Sequence, residues 1–209
     1  MARIVAIHRH KRNRVIVLDD GTTFDAPPII CARFQFSMNM EISRDKLEEI
    51  IRESDRENAM QYSFFLLSRR DYSQQDMRRK FKRKDFHPEV IEEVLSLLEK
   101  KGYLDDEKLM KRLFEYYLQE RKAGRLYVIM KLVEKGFPRE NIEAILLTYD
   151  DEKIDWEQEN CNYWGKKWIQ KKGKKSVREL DMKQRQSLFQ YLVNKGFSAR
   201  SVTGFVNED

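Results

Sequence analysis

Three stretches of the chain stop one helix and start the next in the same way: Lys84-Asp85-Phe86, Lys135-Gly136-Phe137 and Lys195-Gly196-Phe197. Aligned on the phenylalanine, apolar residues precede it by nine positions (Met77, Val128, Leu188) and by five (Phe81, Leu132, Leu192). Others follow it by five (Ile91, Ile142, Val202), by eight (Val94, Ile145, Phe205) and by nine (Leu95, Leu146, Val206). Those offsets put one apolar face on a helix, then a turn, then one apolar face on a second helix. The turn calls for a left-handed backbone, which Gly136 and Gly196 adopt freely and Asp85 tolerates.

The spacing extends the unit to three helices. Phe86 to Phe137 is 51 residues and Phe137 to Phe197 is 60, the excess falling at the basic loop around Lys171, Lys172, Gly173, Lys174 and Lys175. A period near fifty is long for two helices and fits three. The extra helix is expected upstream of each pair, over 62–70, 107–122 and 155–171. Ser73, with Asp76 three residues on, has the pattern of a helix start. The expected fold is mainly α: a tandem array of three three-helix repeats over 61–104, 105–150 and 151–209.

Residues 1–60 differ in kind. Short β-rich runs at 4–7 and 15–18, the turn signal Asp19-Asp20-Gly21 and a third run at 22–24 predict a small β-meander. Pro27-Pro28 then interrupts the chain. Ser43 is placed to cap an amphipathic helix carrying Leu47, Ile50 and Ile51 to about residue 57, and polar residues 54–58 form the expected joint to the array.

No apolar run approaches the roughly 20 residues a membrane span needs, and the N-terminus lacks a signal-peptide pattern. Cys31 and Cys161 form no metal or disulfide framework. A cytoplasmic monomer with no membrane contact and no cofactor is expected.

Charge begins to point to function. Segments 1–60 and 105–150 are neutral, whereas 61–104 and 151–209 each carry +3 of the total +6. Six of the seven residues from Arg78 to Lys84 are cationic, and a second cluster holds Lys166, Lys167, Lys171, Lys172, Lys174 and Lys175. Such density attracts phosphates or an acidic protein surface. A solvated helix face, favoured near a helix C-terminus, is the plainer alternative for either cluster.

Catalytic machinery is not evident. His8 and His10 share one face of a strand, half a metal site at most, and His87 precedes a helix-starting proline. Asp105-Asp106-Glu107 could hold a metal, but it opens a helix, where acids satisfy free amides. There is no phosphate loop and no nucleophile elbow. Trp156, Trp164 and Trp168, with Tyr163, could stack on bases, although their spacing nearly shares one helix face and favours core packing. No catalytic or metal-binding residue is therefore expected.

Several motifs together resemble the RecX regulatory proteins. They are Ser68-Arg69-Arg70-Asp71-Tyr72-Ser73 before a basic helix, Gly102-Tyr103-Leu104-Asp105-Asp106-Glu107 after an amphipathic one, and Met182-Lys183-Gln184-Arg185-Gln186 leading into Tyr191 to Phe197. The resemblance covers residues 60 to 206, with Asp85 where the family usually has glycine and Arg125-Leu126-Tyr127 where a small or polar helix start is usual. It implies a cytoplasmic bacterial modulator of the RecA recombinase that binds the RecA–DNA filament along its groove and suppresses strand exchange, in DNA repair and recombination. The candidate contact residues are Arg69, Arg70, Arg78, Arg79, Lys82, Arg83, Lys166, Lys167, Lys171, Lys172, Lys174 and Lys175, facing recombinase or DNA. Two other classes stay open on the residues alone: a general DNA- or RNA-binding helical module, and a metal-dependent hydrolase built on Asp105, Asp106 and Glu107.

Overall fold

The three repeat turns are built alike in the computed structural model, which describes residues 1–152 and 155–207. Asp85, Gly136 and Gly196 take positive φ values of 57°, 90° and 83°. The next amide reaches back across each turn: Phe86 N to Phe81 O at 3.4 Å, Phe137 N to Leu132 O at 3.2 Å, Phe197 N to Leu192 O at 3.4 Å. The turn residue's own amide donates to the carbonyl of Lys82, Val133 or Val193 respectively. This pair of bonds satisfies carbonyls that a helix end leaves open.

Contacts divide the chain into two compact units, Met1–Asp105 and Asp106–Asp209. The first begins with strands β1 (Ala2–His10), β2 (Asn13–Leu18) and β3 (Thr23–Ala26), then helix α1 (Pro28–Phe34) and the short strand β4 (Glu41–Ile42). The sheet is antiparallel with order β3-β2-β1-β4. The expected meander is present, and two further elements join it. Pro28 occupies the first turn of α1, where its missing N–H costs nothing. Ile4, Ile16, Leu18, Phe24 and Ala26 form the buried face under Ile30 and Ile50.

Helix α2 (Arg44–Leu67) corrects the expected joint at 54–58. It begins at Ser43, whose hydroxyl accepts from Lys46 N, and continues unbroken for 24 residues. Its buried stripe runs Ile50, Ser54, Ala59, Met60, Ser63 and Leu66. Small polar residues on that stripe read as a linker in sequence but allow close helix packing; Ser63 Oγ donates to Ala59 O at 2.7 Å. One helix therefore serves both the sheet core and the first repeat core, and Asn58 ties it to β3 by donating to Asp25 O at 2.9 Å.

Helices α3 (Gln74–Lys82) and α4 (Pro88–Lys100) complete the first repeat. Ser73 accepts from Asp76 N at 3.0 Å, as its pattern predicts. The second unit contains α5 (Asp106–Glu115), a π-helical turn (Tyr116–Glu120), α6 (Arg125–Glu134), α7 (Arg139–Glu152), α8 (Trp156–Lys171), a 3-10 turn (Val177–Glu179), α9 (Met182–Asn194) and α10 (Ala199–Asn207). The helix expected over 107–122 thus widens into a π turn before it ends. The range 151–209 includes residues 153–154 and 208–209, which lie outside the described residues.

The apolar offsets map onto the cores. Every one of those residues is buried except Ile145 and Val206, which are half-buried. Phe137 and Phe197 are 4% and 1% exposed. Phe86 holds the same place in its turn but is only half-buried, edge-on to Phe81 at 5.7 Å and tilted against Tyr62 at 6.5 Å. Equivalence of position holds; equal burial does not.

Within the second unit, the two repeats meet backbone to backbone. Gly124 N donates to Lys195 O at 3.3 Å, and Leu126 N to Gly196 O at 2.9 Å. A Cβ on Gly124 would collide with the backbone of Gly196, and one on Gly196 with Tyr127. Gly196 is thus required both for its left-handed backbone and for this approach. Buried Glu157 of α8 fastens the same junction: Oε1 accepts from Arg125 N and Ser198 N, both at 3.0 Å, and Oε2 from the hydroxyls of Ser198 and Ser201. A carboxylate at the starts of both α6 and α10 meets their free amides and dipoles.

Candidate functional site

The first basic cluster lies on α3 and the turn before it. Arg69 and Arg70 are exposed, and each guanidinium lies over an aromatic ring: Arg69 over Phe65 at 4.3 Å, Arg70 over Tyr72 at 3.7 Å. Cation–π contact holds such side chains in place while leaving their edges to a partner. Asp76 takes ion pairs from Arg70 at 3.2 Å and Arg79 at 3.5 Å. Lys82 and Arg83, at the end of α3, are exposed.

Arg78 is engaged differently. Its guanidinium forms a two-pronged pair with Glu92 of α4 at 2.8 and 2.7 Å and donates to Gln75 at 3.0 Å. The arginine beside Glu92 holds that carboxyl below the usual range. Paired arginine geometry of this kind fixes orientation, so Arg78 clamps α3 to α4.

The second cluster occupies the end of α8 and the turn after it. Lys166, Lys167, Lys171, Lys172 and Lys175 are exposed, and Lys174 is half-buried. Gly173 takes φ 70°, while Lys174 N reaches back to Ile169 O at 3.2 Å, closing the helix as in the repeat turns. Cations there also face the negative end of the helix dipole. Lys172 lies over Trp168 at 5.4 Å.

Lys167 lines a cleft of about 530 Å³ that includes residues outside the sequence-derived set. Arg121 and Lys122 come from the loop after the π turn, and Lys195 from the α9–α10 turn. Lys195 Nζ sits 3.6 Å from the Trp164 ring centroid, and Trp164 Nε1 donates to Lys122 O at 2.9 Å. The tryptophan expectation divides accordingly: Trp156 is core at 5% exposure, while half-buried Trp164 packs on the core and lines the cleft.

The other candidates are placed as follows. His8 and His10 are exposed on β1, and Asp106 and Glu107 lie in the first turn of α5. Cys31 and Cys161 are free thiols. Among the described residues, no group of three or more His, Cys, Asp or Glu could hold a metal ion, and no helix is long and apolar enough to cross a membrane.

Comparison with known proteins agrees with this architecture. A family model for the first three-helix domain of RecX matches residues 59–98. The regulatory protein RecX of Mannheimia succiniciproducens is 31% identical over 153 residues, covering 71% of this chain and 92% of the relative. That of Streptococcus mutans is 26% identical over 197 residues, covering 94% of this chain and 72% of the relative. A crystal structure of a regulatory protein RecX superposes with TM-score 0.65 at 19% identity and full coverage of both chains. RecX from Lactobacillus salivarius gives TM-score 0.61 at 17% identity, covering 73% of this chain and 94% of that one. These two likenesses establish the fold.

Proposed function

The chain belongs to the RecX family of regulatory proteins, and from that premise we propose that it binds the RecA–DNA filament along its groove and restrains the recombinase. It does so as a monomer in the cytoplasm, in DNA repair and recombination and the SOS response, without a cofactor. Segments 61–104, 105–150 and 151–209 are its three-helix building blocks, and α2 joins the first of them to segment 1–60 without a break. The observation that carries this reading is that each compact unit bears its own exposed basic cluster. Two weak contacts joined in one chain raise avidity without any single strong site, which suits a long partner presenting the same anionic surface repeatedly. Occupying the groove would hinder the protomer rearrangements that accompany ATP hydrolysis.

Co-sedimentation with recombinase filaments on single-stranded DNA, beside the naked DNA, tests the reading. The chain should pellet with filaments well below the concentration at which it pellets with DNA alone. Equal pelleting, lost with added salt in both cases, would instead favour a general nucleic-acid-binding module, because phosphate contacts release counterions. Exposed guanidinium and ammonium groups on α3 and α8 are what such a module would use.

This function has no chemical step. Purified protein should hydrolyse neither ATP nor DNA by itself. Intrinsic turnover that disappears in Asp105→Ala and Asp106→Ala, with the fold intact by circular dichroism, would contradict it.

A further inference from the structure

The cleft in the second unit has features that filament binding does not require. Its walls are the loop at residues 120–124, α8 and the α9–α10 turn, joined by the glycine-dependent backbone contacts described above. Its charge is one-sided: among the described residues that line it, Arg121, Lys122, Lys167 and Lys195 stand against one carboxylate, Glu120. Among the described residues, neither Lys167 nor Lys195 makes an ion pair with a carboxylate. They rest instead on the Trp164 ring, with Lys167 Nζ 5.1 Å and Lys195 Nζ 3.6 Å from its centroid, while Lys122 Nζ lies 5.3 Å from that of Tyr163. Burial, and the charge of Lys167 beside it, pull the Lys195 ammonium below the usual lysine range. Like charges gathered in a partly dry cleft repel one another, and an anion between them relieves both the repulsion and the lost hydration.

We propose that this cleft binds a nucleotide, its phosphate held by Lys122, Lys167 and Lys195 and its base placed against the Tyr163 ring at the rim. Tyr163 is 43% exposed and in edge contact with Trp164 at 5.3 Å, and Lys122 and Lys167 lie over its ring at 5.3 and 5.6 Å, so a base reaching the ring brings its phosphate to both ammonium groups as they leave the ring for it. Base–aromatic stacking tolerates any base. The volume of about 530 Å³ suits one nucleotide and its phosphates. An acidic peptide would use the cations but not the ring, and the described residues of the walls are helix and loop, with no strand edge among them to pair with an extended chain. The nucleotide is either free or one link of a single strand.

Titration calorimetry on the full chain at low salt, with no recombinase present, tests this independently of the filament reading. The probes are dTTP, a short oligothymidylate and poly-glutamate. Binding of dTTP, or of oligothymidylate alone, supports the proposal and assigns the source as a free nucleotide or a strand respectively. Lys167→Gln and Tyr163→Ala should each weaken that binding about tenfold, the loss expected for one charge-assisted bond or one stacked base. Lys183→Gln, exposed on α9 outside the cleft and both basic clusters, should leave it unchanged. Lys195→Gln should act like Lys167→Gln if circular dichroism shows it folded, and Lys167→Gln decides the matter if not. No binding of either nucleotide probe, binding indifferent to Lys167→Gln and Tyr163→Ala, or stronger binding of poly-glutamate would overturn the proposal.

Discussion

Phe137→Ala should destabilise the Asp106–Asp209 unit by about 3–5 kcal/mol, as truncation of a buried phenylalanine does elsewhere. Phe137 is 4% exposed and seals the end of a core containing Phe114, Val128, Leu132, Ile142 and Leu146. Removing the ring loses its transfer energy and leaves a cavity that helices held by a left-handed Gly136 turn cannot easily close. The chain's three tryptophans, Trp156, Trp164 and Trp168, all lie in this unit, so intrinsic fluorescence during urea unfolding follows it selectively. Phe197→Ala should cost as much, since Phe197 is 1% exposed. Phe86→Ala, monitored by far-UV circular dichroism, should cost about half that, because the half-buried ring surrenders less area. Equal small losses, below about 1 kcal/mol, at Phe137 and Phe197 would mean that the repeat turns do not anchor the cores.

Those turns are the most legible part of the sequence, because each offset carries one physical demand. A left-handed residue followed by a phenylalanine marks the stop, and the apolar spacing marks which helix faces go inside. The demand at Asp85 is the same as at Gly136 and Gly196, and all three take positive φ. Small buried residues leave no such mark. Ser54, Ala59 and Ser63 face the core from α2 yet look like a polar joint, so the pattern divides a 24-residue helix in two. Pro28 reads as an interruption although proline is also a favoured helix start, and β4 is only two residues long.

The candidate site is legible in outline, because charge density is a property of the chain itself. Pairing is not. Arg78 and Lys82 sit four apart on one basic helix, but Glu92, fourteen residues beyond Arg78, makes the former a clamp while Lys82 stays exposed. The cleft is hidden for a related reason. Lys122, Lys167 and Lys195 are remote in sequence and converge only because Gly124 and Gly196 let two backbones touch. No local motif announces such a site; at most, glycine at position 124 as well as 196 hints at a close approach.

Replacing the two basic sets should produce the largest functional change. The first set is Arg79, Lys82 and Arg83, with Arg78 left to hold α3 against α4. The second is Lys171, Lys172, Lys174 and Lys175, which leaves Lys167 and the cleft intact. None of these positions carries an apolar offset of the repeat, so alanine at each should preserve the cores. Either set alone should weaken filament binding about tenfold, because the other cluster still tethers the chain and only effective concentration falls. Both together should weaken it about a hundredfold or more and remove most of its salt dependence, since exposed charges act through a screened field.

Co-sedimentation of the doubly substituted protein with recombinase filaments, matched to wild type in circular dichroism and melting temperature, is the most direct measurement. The predicted result is wild-type protein in the pellet and the doubly substituted protein in the supernatant at the same concentration. Pelleting of the two proteins alike, with the same response to salt, would contradict the account and return both clusters to the status of solvated helix faces.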